Sequence, residues 1–531
     1  MASQPLYLSP SVAIEPLVDH WYAWWYLLAP ATAAMFTAKM HIPLLQSFVT
    51  SPAAHVAALA NPALRGGPFL DCAADQVPAV QRLLDRTLAG AALPIAFARA
   101  IEQLYVLLAG VPPGSSLEPL YPRVPAPLRG YVELTYDLQH RPGFRWIEPL
   151  LYTSALYRTS AQSVLLRPLT GDARPHVFST PRLDDGRLAQ LPLAFRDPRV
   201  DALVRLRDVP LSVEQAEDQL GITPEQRTLF RACLTPEPPR PPAPRYDGPG
   251  VRVRYFGHAC VLLESREVSV LTDPMISYRI PDGPARFSLE DLPARIDYVL
   301  ITHGHADHLV LETLLHLRAR IGTIVVPRNG GGALADPSLK LLLQAAGFSR
   351  VVELAELETL ELDGGSVTGL PFLGEHCDLA IHSKLAHLVR LGGASLVMAA
   401  DSNAIEPMLY ERVREAVGPI DALFLGMESE GAPMSWTYGP LLAAPLSRKF
   451  DHARRSNGSN FERAREIVDR LAPGRVCVYA MGMEPWMGQI MVMGYTATSP
   501  QIVESDRLLA ACAARGIVAS RPYCQDEFRI G

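Results

Sequence analysis

Cysteine is sparse in this 531-residue chain, and none of the seven residues is spaced as C-x-x-C. That excludes a four-cysteine iron–sulfur motif and predicts reduced thiols in a cytoplasmic protein. Basic runs are lacking too: 49 Lys plus Arg stand against 55 Asp plus Glu, for a net charge of −6, so nucleic acid is not an expected partner. The N-terminus has no basic segment leading into an apolar one, so no secretory signal is expected. The most apolar early stretch, Trp21 to Phe36, is broken by Pro30, flanked by His20 and Lys39, and too short to cross a bilayer. It reads as a buried segment, and no membrane partner is expected. A G-x-G-x-x-G dinucleotide loop is also missing, since Gly330 to Gly332 reads as an isolated turn.

What is present is an ordinary globular composition, 48% hydrophobic and 20% charged, in a chain longer than one core usually organises. The segment Thr235 to Gly250, TPEPPRPPAPRYDGPG, holds seven prolines and marks the boundary. The expected domains are therefore residues 1–234, a linker at 235–250, and residues 251–531. The first is expected to be mixed and helix-rich, with helical periodicity over Val80 to Leu108 broken at Pro94, and a helical pair over Ser212 to Cys233. That pair superficially resembles a helix-turn-helix. Its second helix carries Glu225 and one cation, Arg227, so an ordinary hairpin is the reading. The cluster Trp21, Tyr22, Trp24, Trp25 and Tyr26 is expected to pack one domain on the other. After the linker, short apolar runs at 251–263, 268–272, 298–301, 323–326, 395–399, 422–425 and 476–479 alternate with helical stretches at 309–320, 339–346 and 461–471, which predicts sheets flanked by helices.

The chemistry is concentrated where the strand Tyr298–Thr302 gives way to His303-Gly304-His305-Ala306-Asp307-His308. Three histidines and an aspartate crowded together have no packing rationale, because each needs a partner when buried. Imidazole and carboxylate suit first-row metals, and the spacing lets His303 and His305 face one ion while Asp307 and His308 face a second. Such a dinuclear site requires further ligands from later loops, including a bridging carboxylate.

With this motif, the opening Val251 to Leu263 and the strand ending Leu271-Thr272-Asp273-Pro274, the chain resembles the metallo-β-lactamase superfamily over 251–531. The resemblance implies an α/β fold, an αββα sandwich in the C-terminal domain. It makes Asp273 a carboxylate that orients a ligand histidine, and Asp401 the bridge. Hydrolytic members place a histidine where this chain has Gly374-Glu375-His376-Cys377-Asp378, so either Glu375 or His376 is the next ligand. Glu375 shifts the preference from zinc towards iron or manganese.

A glutamate there, with the two-domain length, resembles a narrower group, the diiron β-hydroxylases of nonribosomal peptide synthesis of the chloramphenicol-pathway type. That resemblance implies two iron ions with O2 as cosubstrate, Glu375 and Asp401 as catalytic residues, and Glu428 and Glu430 near the cluster. It implies hydroxylation of the β-carbon of an aminoacyl thioester held on a carrier domain, an external electron donor, and an N-terminal domain that gates substrate and forms a homodimer. His452, the only histidine after Asp401, is expected to complete the second metal site, and His258 to be structural or to stand behind a metal ligand. Arg448, Lys449, Arg454 and Arg455 are the expected docking patch for an acidic carrier. The alternative is a dizinc hydrolase using His376.

Overall fold

The computed structural model describes residues 5–531. The C-terminal half is built on two seven-stranded sheets, and every strand of both begins at or after Val251. The first sheet runs, in spatial order, 351–354, 321–327, 296–300, 269–272, 260–264, 251–257 and 526–530. The second runs 359–362, 365–370, 386–391, 394–398, 422–426, 475–479 and 518–520. Their facing sides interdigitate through Val253, Val261 and Leu300 on one sheet and Val389, Leu396 and Phe424 on the other. Because both faces of each sheet are covered, the central strands read as continuous apolar runs without alternation.

Helices cover the outer faces, giving an αββα sandwich. Phe461–Leu471 shows why they form: Phe461, Ala464, Ile467, Val468 and Leu471 are buried at helical spacing, and the Asn460 side chain accepts from the Arg463 amide to cap the start. On the other outer face, Leu311–Leu317 and Leu339–Ala345 belong to a core that continues without a break into the N-terminal half.

That N-terminal half is mixed. A four-stranded antiparallel sheet, ordered 21–22, 12–18, 162–168 and 189–191, accompanies the helices Val77–Gly90 and Ala92–Ala109. The helical break falls at Ala91 instead of Pro94, which sits in the first turn of the second helix, where no amide partner is lost. Among the described residues Ala92–Ala109 is the one helix long and apolar enough to cross a membrane, and its Phe97, Ile101 and Leu104 are buried in the core. The stretch from Trp21 to Phe36 is almost wholly buried, as its composition suggests. The Pro-rich segment is laid against the sandwich through an Ala243–Pro293 bridge.

A buried charge cluster joins the halves. Glu15, fully buried in strand 12–18, meets Arg167, Arg174 and Arg182 at 3.0, 2.7 and 2.7 Å. Arg174 also reaches Glu312 at 2.7 Å, on the helix that follows the histidine-rich loop.

Candidate metal centre

Strand Ile296–Leu300 lies inside its sheet, paired in parallel on both sides, and delivers residues 303–308 at its C-terminal edge. The adjoining strand Ser269–Thr272 ends at Asp273, which accepts from the Thr302 amide at 2.8 Å and the Thr302 hydroxyl at 2.6 Å. The same carboxylate takes the Nδ1 proton of His308 at 2.8 Å, so His308 Nε2 faces inward. Thr302, having spent its proton on Asp273, accepts from His303 Nδ1 at 3.0 Å, which turns the Nε2 lone pair of His303 inward as well. His305 is set the other way. Its Nε2 lies 2.6 Å from the Tyr438 hydroxyl, leaving Nδ1 for the centre.

The inward-facing atoms crowd one another, His303 Nε2 lying 3.2 Å from His305 Nδ1. Glu375 Oε2 stands 2.7 Å from His305 Nδ1 and 3.5 Å from His303 Nε2. Asp401 Oδ2 stands 3.0 Å from His308 Nε2 and 3.7 Å from His303 Nε2. Yet His308 Nε2, Glu375 Oε2 and His376 Nε2 are buried with no hydrogen-bond partner. Buried ligand atoms left unpartnered at such close quarters are costly unless cations sit between them, so these residues fit metal ions. Three ligand groups emerge: His303, His305, Glu375 and His376; His258, Asp307 and His308; and His303, His308 and Asp401.

The electrostatics divide the imidazoles: burial works to lower His305 and His308, but Glu375 beside His305, and Asp401 and Asp307 beside His308, outweigh it and raise both. Burial, aided by the neighbouring Asp401 and Asp307, pushes the Glu375 carboxyl up to about 7. Burial together with the other imidazoles holds His303 and His376 well below the ordinary histidine range, so both present lone pairs at neutral pH. Burial works to raise Asp307, but His308 and His258 outweigh it and keep the group ionised.

His258 has a definable role. The Gly482 amide donates to its Nδ1 at 3.1 Å, so Nε2 carries the proton and donates to Asp307 Oδ2 at 3.1 Å. A histidine donating in this way orients Asp307 and has no lone pair left for a metal. His452, expected as a ligand, is absent from all three groups. It is exposed on the helix Arg448–Ala453, which ends where the Arg454 guanidinium fastens onto the Cys377 carbonyl at 2.6 and 2.9 Å, leaving His452 at the pocket mouth.

The centre opens onto a cavity of about 760 Å³. His305, Asp307, Glu375 and Asp401 line one side, and Trp24, Phe178 and Trp436 another. Glu428 also lines it, buried and accepting from the Tyr495 hydroxyl and from Gln501 at 3.1 Å, with burial pushing it up to about 7. Glu430 is exposed on the same wall. Of the four expected docking cations, Arg448 and Lys449 are exposed, whereas Arg454 is pinned to Cys377 and Arg455 to the Gly431 carbonyl at 2.7 Å.

One contact carried no sequence signal: Tyr438 meets His305 from far along the chain. Trp25, in the cluster expected to pack one domain on the other, lies so close over Gly304 that a Cβ there would fall 2.3 Å from the indole.

Residues 7–238 match the family model described as diiron non-heme β-hydroxylase N-terminal domain, and residues 269–478 match a β-lactamase superfamily domain. The chain is 40% identical, over 98% of its length and 99% of the relative's, to the 4-amino-L-phenylalanyl-[CmlP-peptidyl-carrier-protein] 3-hydroxylase of Streptomyces venezuelae. The crystal structure of CmlA, a diiron β-hydroxylase from the same organism, superposes with a TM-score of 0.93 at 38% identity, covering 100% of both chains. A UPF0173 metal-dependent hydrolase of Desulforamulus reducens is 37% identical over 33% of this chain and 77% of its own.

Proposed function

Because the chain belongs to the family of diiron non-heme β-hydroxylases, we propose that its centre holds two iron ions through six side chains. His303, His305 and Glu375 would hold one ion and Asp307 and His308 the other, with Asp401 placed between the two sets. The observation that carries this assignment is the position of Asp401 Oδ2, within 3.0 Å of His308 Nε2 and 3.7 Å of His303 Nε2, one histidine from each half of the set. Three imidazoles and three carboxylates form a harder donor set than the histidine-rich sets typical of zinc hydrolases.

The enzyme is a diiron, O2-dependent monooxygenase that hydroxylates the β-carbon of an aminoacyl group held as a thioester on a carrier domain of nonribosomal peptide synthesis. The iron pair supplies activation of dioxygen. The protein's own residues do the rest. Asp273 and Thr302 hold the proton-bearing sides of His308 and His303 away from the metals, His258 holds Asp307, and Tyr438 holds His305. Trp24, Phe178 and Trp436 form a wall suited to an aromatic aminoacyl side chain, placing its β-carbon against the Glu375 and Asp401 side of the cavity. An aromatic substrate fits the relative's 4-amino-L-phenylalanyl group.

The carrier docks at the mouth through Arg448, Lys449 and the 59% exposed Phe450, a cationic edge around an apolar anchor. Electrons come from a separate reductase. The exposed Val56, Leu88, Leu93 and Val106 of the N-terminal helices support a homodimer through that half, and seven buried, unpaired cysteines suit a reducing cytoplasm.

The deciding experiment is mass spectrometry of carrier-bound aminoacyl groups after incubation with enzyme, reductant and O2. A gain of one oxygen, with iron near two per chain, is expected. Zinc at that stoichiometry with thioester cleavage in the absence of O2 would instead establish the hydrolase. Reversing Arg448 and Lys449 to Glu is expected to raise KM for the loaded carrier while leaving iron content unchanged.

A further inference from the structure

The cavity in front of the metal centre is lined by Asp307, Glu375 and Asp401, which belong to the ligand groups, and by three further acids, Glu428, Glu430 and Asp451. Glu430 is exposed to solvent, and Asp451 is engaged, accepting from the Ser435 amide at 2.7 Å and the Ser435 hydroxyl at 2.6 Å. Glu428 differs from both. It is buried, 7% exposed, and belongs to none of the three ligand groups.

Its neighbours orient the Glu428 carboxylate without neutralising it. The Tyr495 hydroxyl donates to Oε2, and Gln501, which lines the same cavity, donates to Oε1 at 3.1 Å. Both donors are uncharged, and among the described residues no Lys, Arg or His pairs with this carboxylate. A carboxylate accepts at about four lone-pair sites, so two donors leave about half of them open. Burial, with the charge of Asp401 acting in the same direction, pushes the group up to about 7, so it ionises readily once a cation arrives. A buried acid that no side chain neutralises, beside a reaction centre, calls for a cation brought by the substrate. The aminoacyl group carries one. Its α-ammonium is two bonds from the β-carbon that is hydroxylated, so the group that binds it must stand next to the metal centre, as Glu428 does on the wall it shares with Asp401.

We propose that Glu428, held by Tyr495 and Gln501, binds the α-ammonium of the aminoacyl thioester and so selects substrates that carry a free amino group. This rests on the aminoacyl reading of the substrate given above. With the side chain on the Trp24, Phe178 and Trp436 wall, the thioester running to the mouth and the ammonium on Glu428, every heavy substituent of the α-carbon is fixed. Rotation about its bond to the β-carbon then stops with one β-hydrogen turned to the metals.

The test is isothermal titration of the iron-loaded enzyme, without reductant, with the pantetheine amides of L-phenylalanine and of phenylpropanoic acid. The two differ only in the amino group, and with NH in place of sulfur neither is cleaved as a thioester. Binding of the phenylalanine amide about tenfold or more tighter is expected. Glu428→Gln keeps the shape and removes the charge, and is expected to bring the two affinities together at unchanged iron content. Equal affinities in the wild type overturn the proposal, and so does a preference that survives Glu428→Gln, which would assign the amine to the metals instead. If that variant fails to fold, Glu428→Asp, which withdraws the charge by one methylene, is expected to narrow the preference, and an unchanged preference there overturns the proposal too. These affinities are read without turnover. Equal affinities therefore remove the role of Glu428 alone, whereas carrier-bound groups that gain no oxygen remove the substrate reading beneath it.

Discussion

Glu15 and Glu375 are both buried carboxylates, one in the N-terminal half and one in the sandwich, and they sit in opposite states. Around Glu15, burial works to raise the pKa, but Arg182, Arg174 and Arg167 outweigh it and hold the group ionised, well below the ordinary range. Around Glu375 burial wins, reinforced by Asp401 and Asp307, and the group rises to about 7. A buried carboxylate that carries its own guanidinium partners is part of the architecture. One surrounded by other ligands and lacking a permanent cation is a place for a metal.

The contrast can be broken at either end. Asp401→Ala is expected to have the largest effect, lowering hydroxylation on the order of 100-fold or more and reducing iron to one ion or fewer per chain, measured by turnover and metal analysis. Glu375→His should retain metal yet lose most O2-dependent hydroxylation, with His376→Ala milder. If His376→Ala proves the more severe, His376 is the ligand. At the other end, Arg182→Met leaves Glu15 partly uncompensated and is expected to cost about 3–5 kcal/mol of stability in chemical denaturation, with iron per folded chain unchanged. Should iron fall in proportion instead, the two regions are not independent.

The smallest effects are in pH dependence, and they have opposite signs. The Glu15 pKa is depressed on folding, so its stabilisation is complete above the ordinary 4.5 and drains away as pH falls below it. Glu15→Gln should flatten that acid limb in urea titrations. The metal-free Glu375 carboxyl is raised, so its contribution is full below 4.5 and is lost as pH rises towards 7. Metal uptake must then displace its proton, and affinity should strengthen about tenfold per pH unit up to roughly 7. A pH-independent affinity over that window would show that another group is the ligand.

Much of the centre was legible because it is local. Residues 303–308 are contiguous, and Asp273, Glu375 and Asp401 each sit at a strand end or in the loop after one, where a family pattern has a fixed address. His452 follows Asp401 in sequence, but it lies exposed on a short helix and outside the three ligand groups. A place for His258 behind a metal ligand was one of two sequence readings, and the Gly482 amide on its Nδ1 decides between them by turning Nε2 to Asp307. Likewise the edge strands 359–362, 518–520 and 526–530 are short, and their half-exposed residues lack the apolar run that marks the central strands. Arg454 looked like a surface cation and is instead a clasp on the Glu375 loop.

The seating of Trp25 on Gly304 ties the catalytic centre to the joining of the two halves, since an indole from one covers the backbone of the ligand loop in the other. Any side chain at position 304 would press on Trp25 at the point where the ligands converge, so one missing methyl group lets the two halves close over the centre.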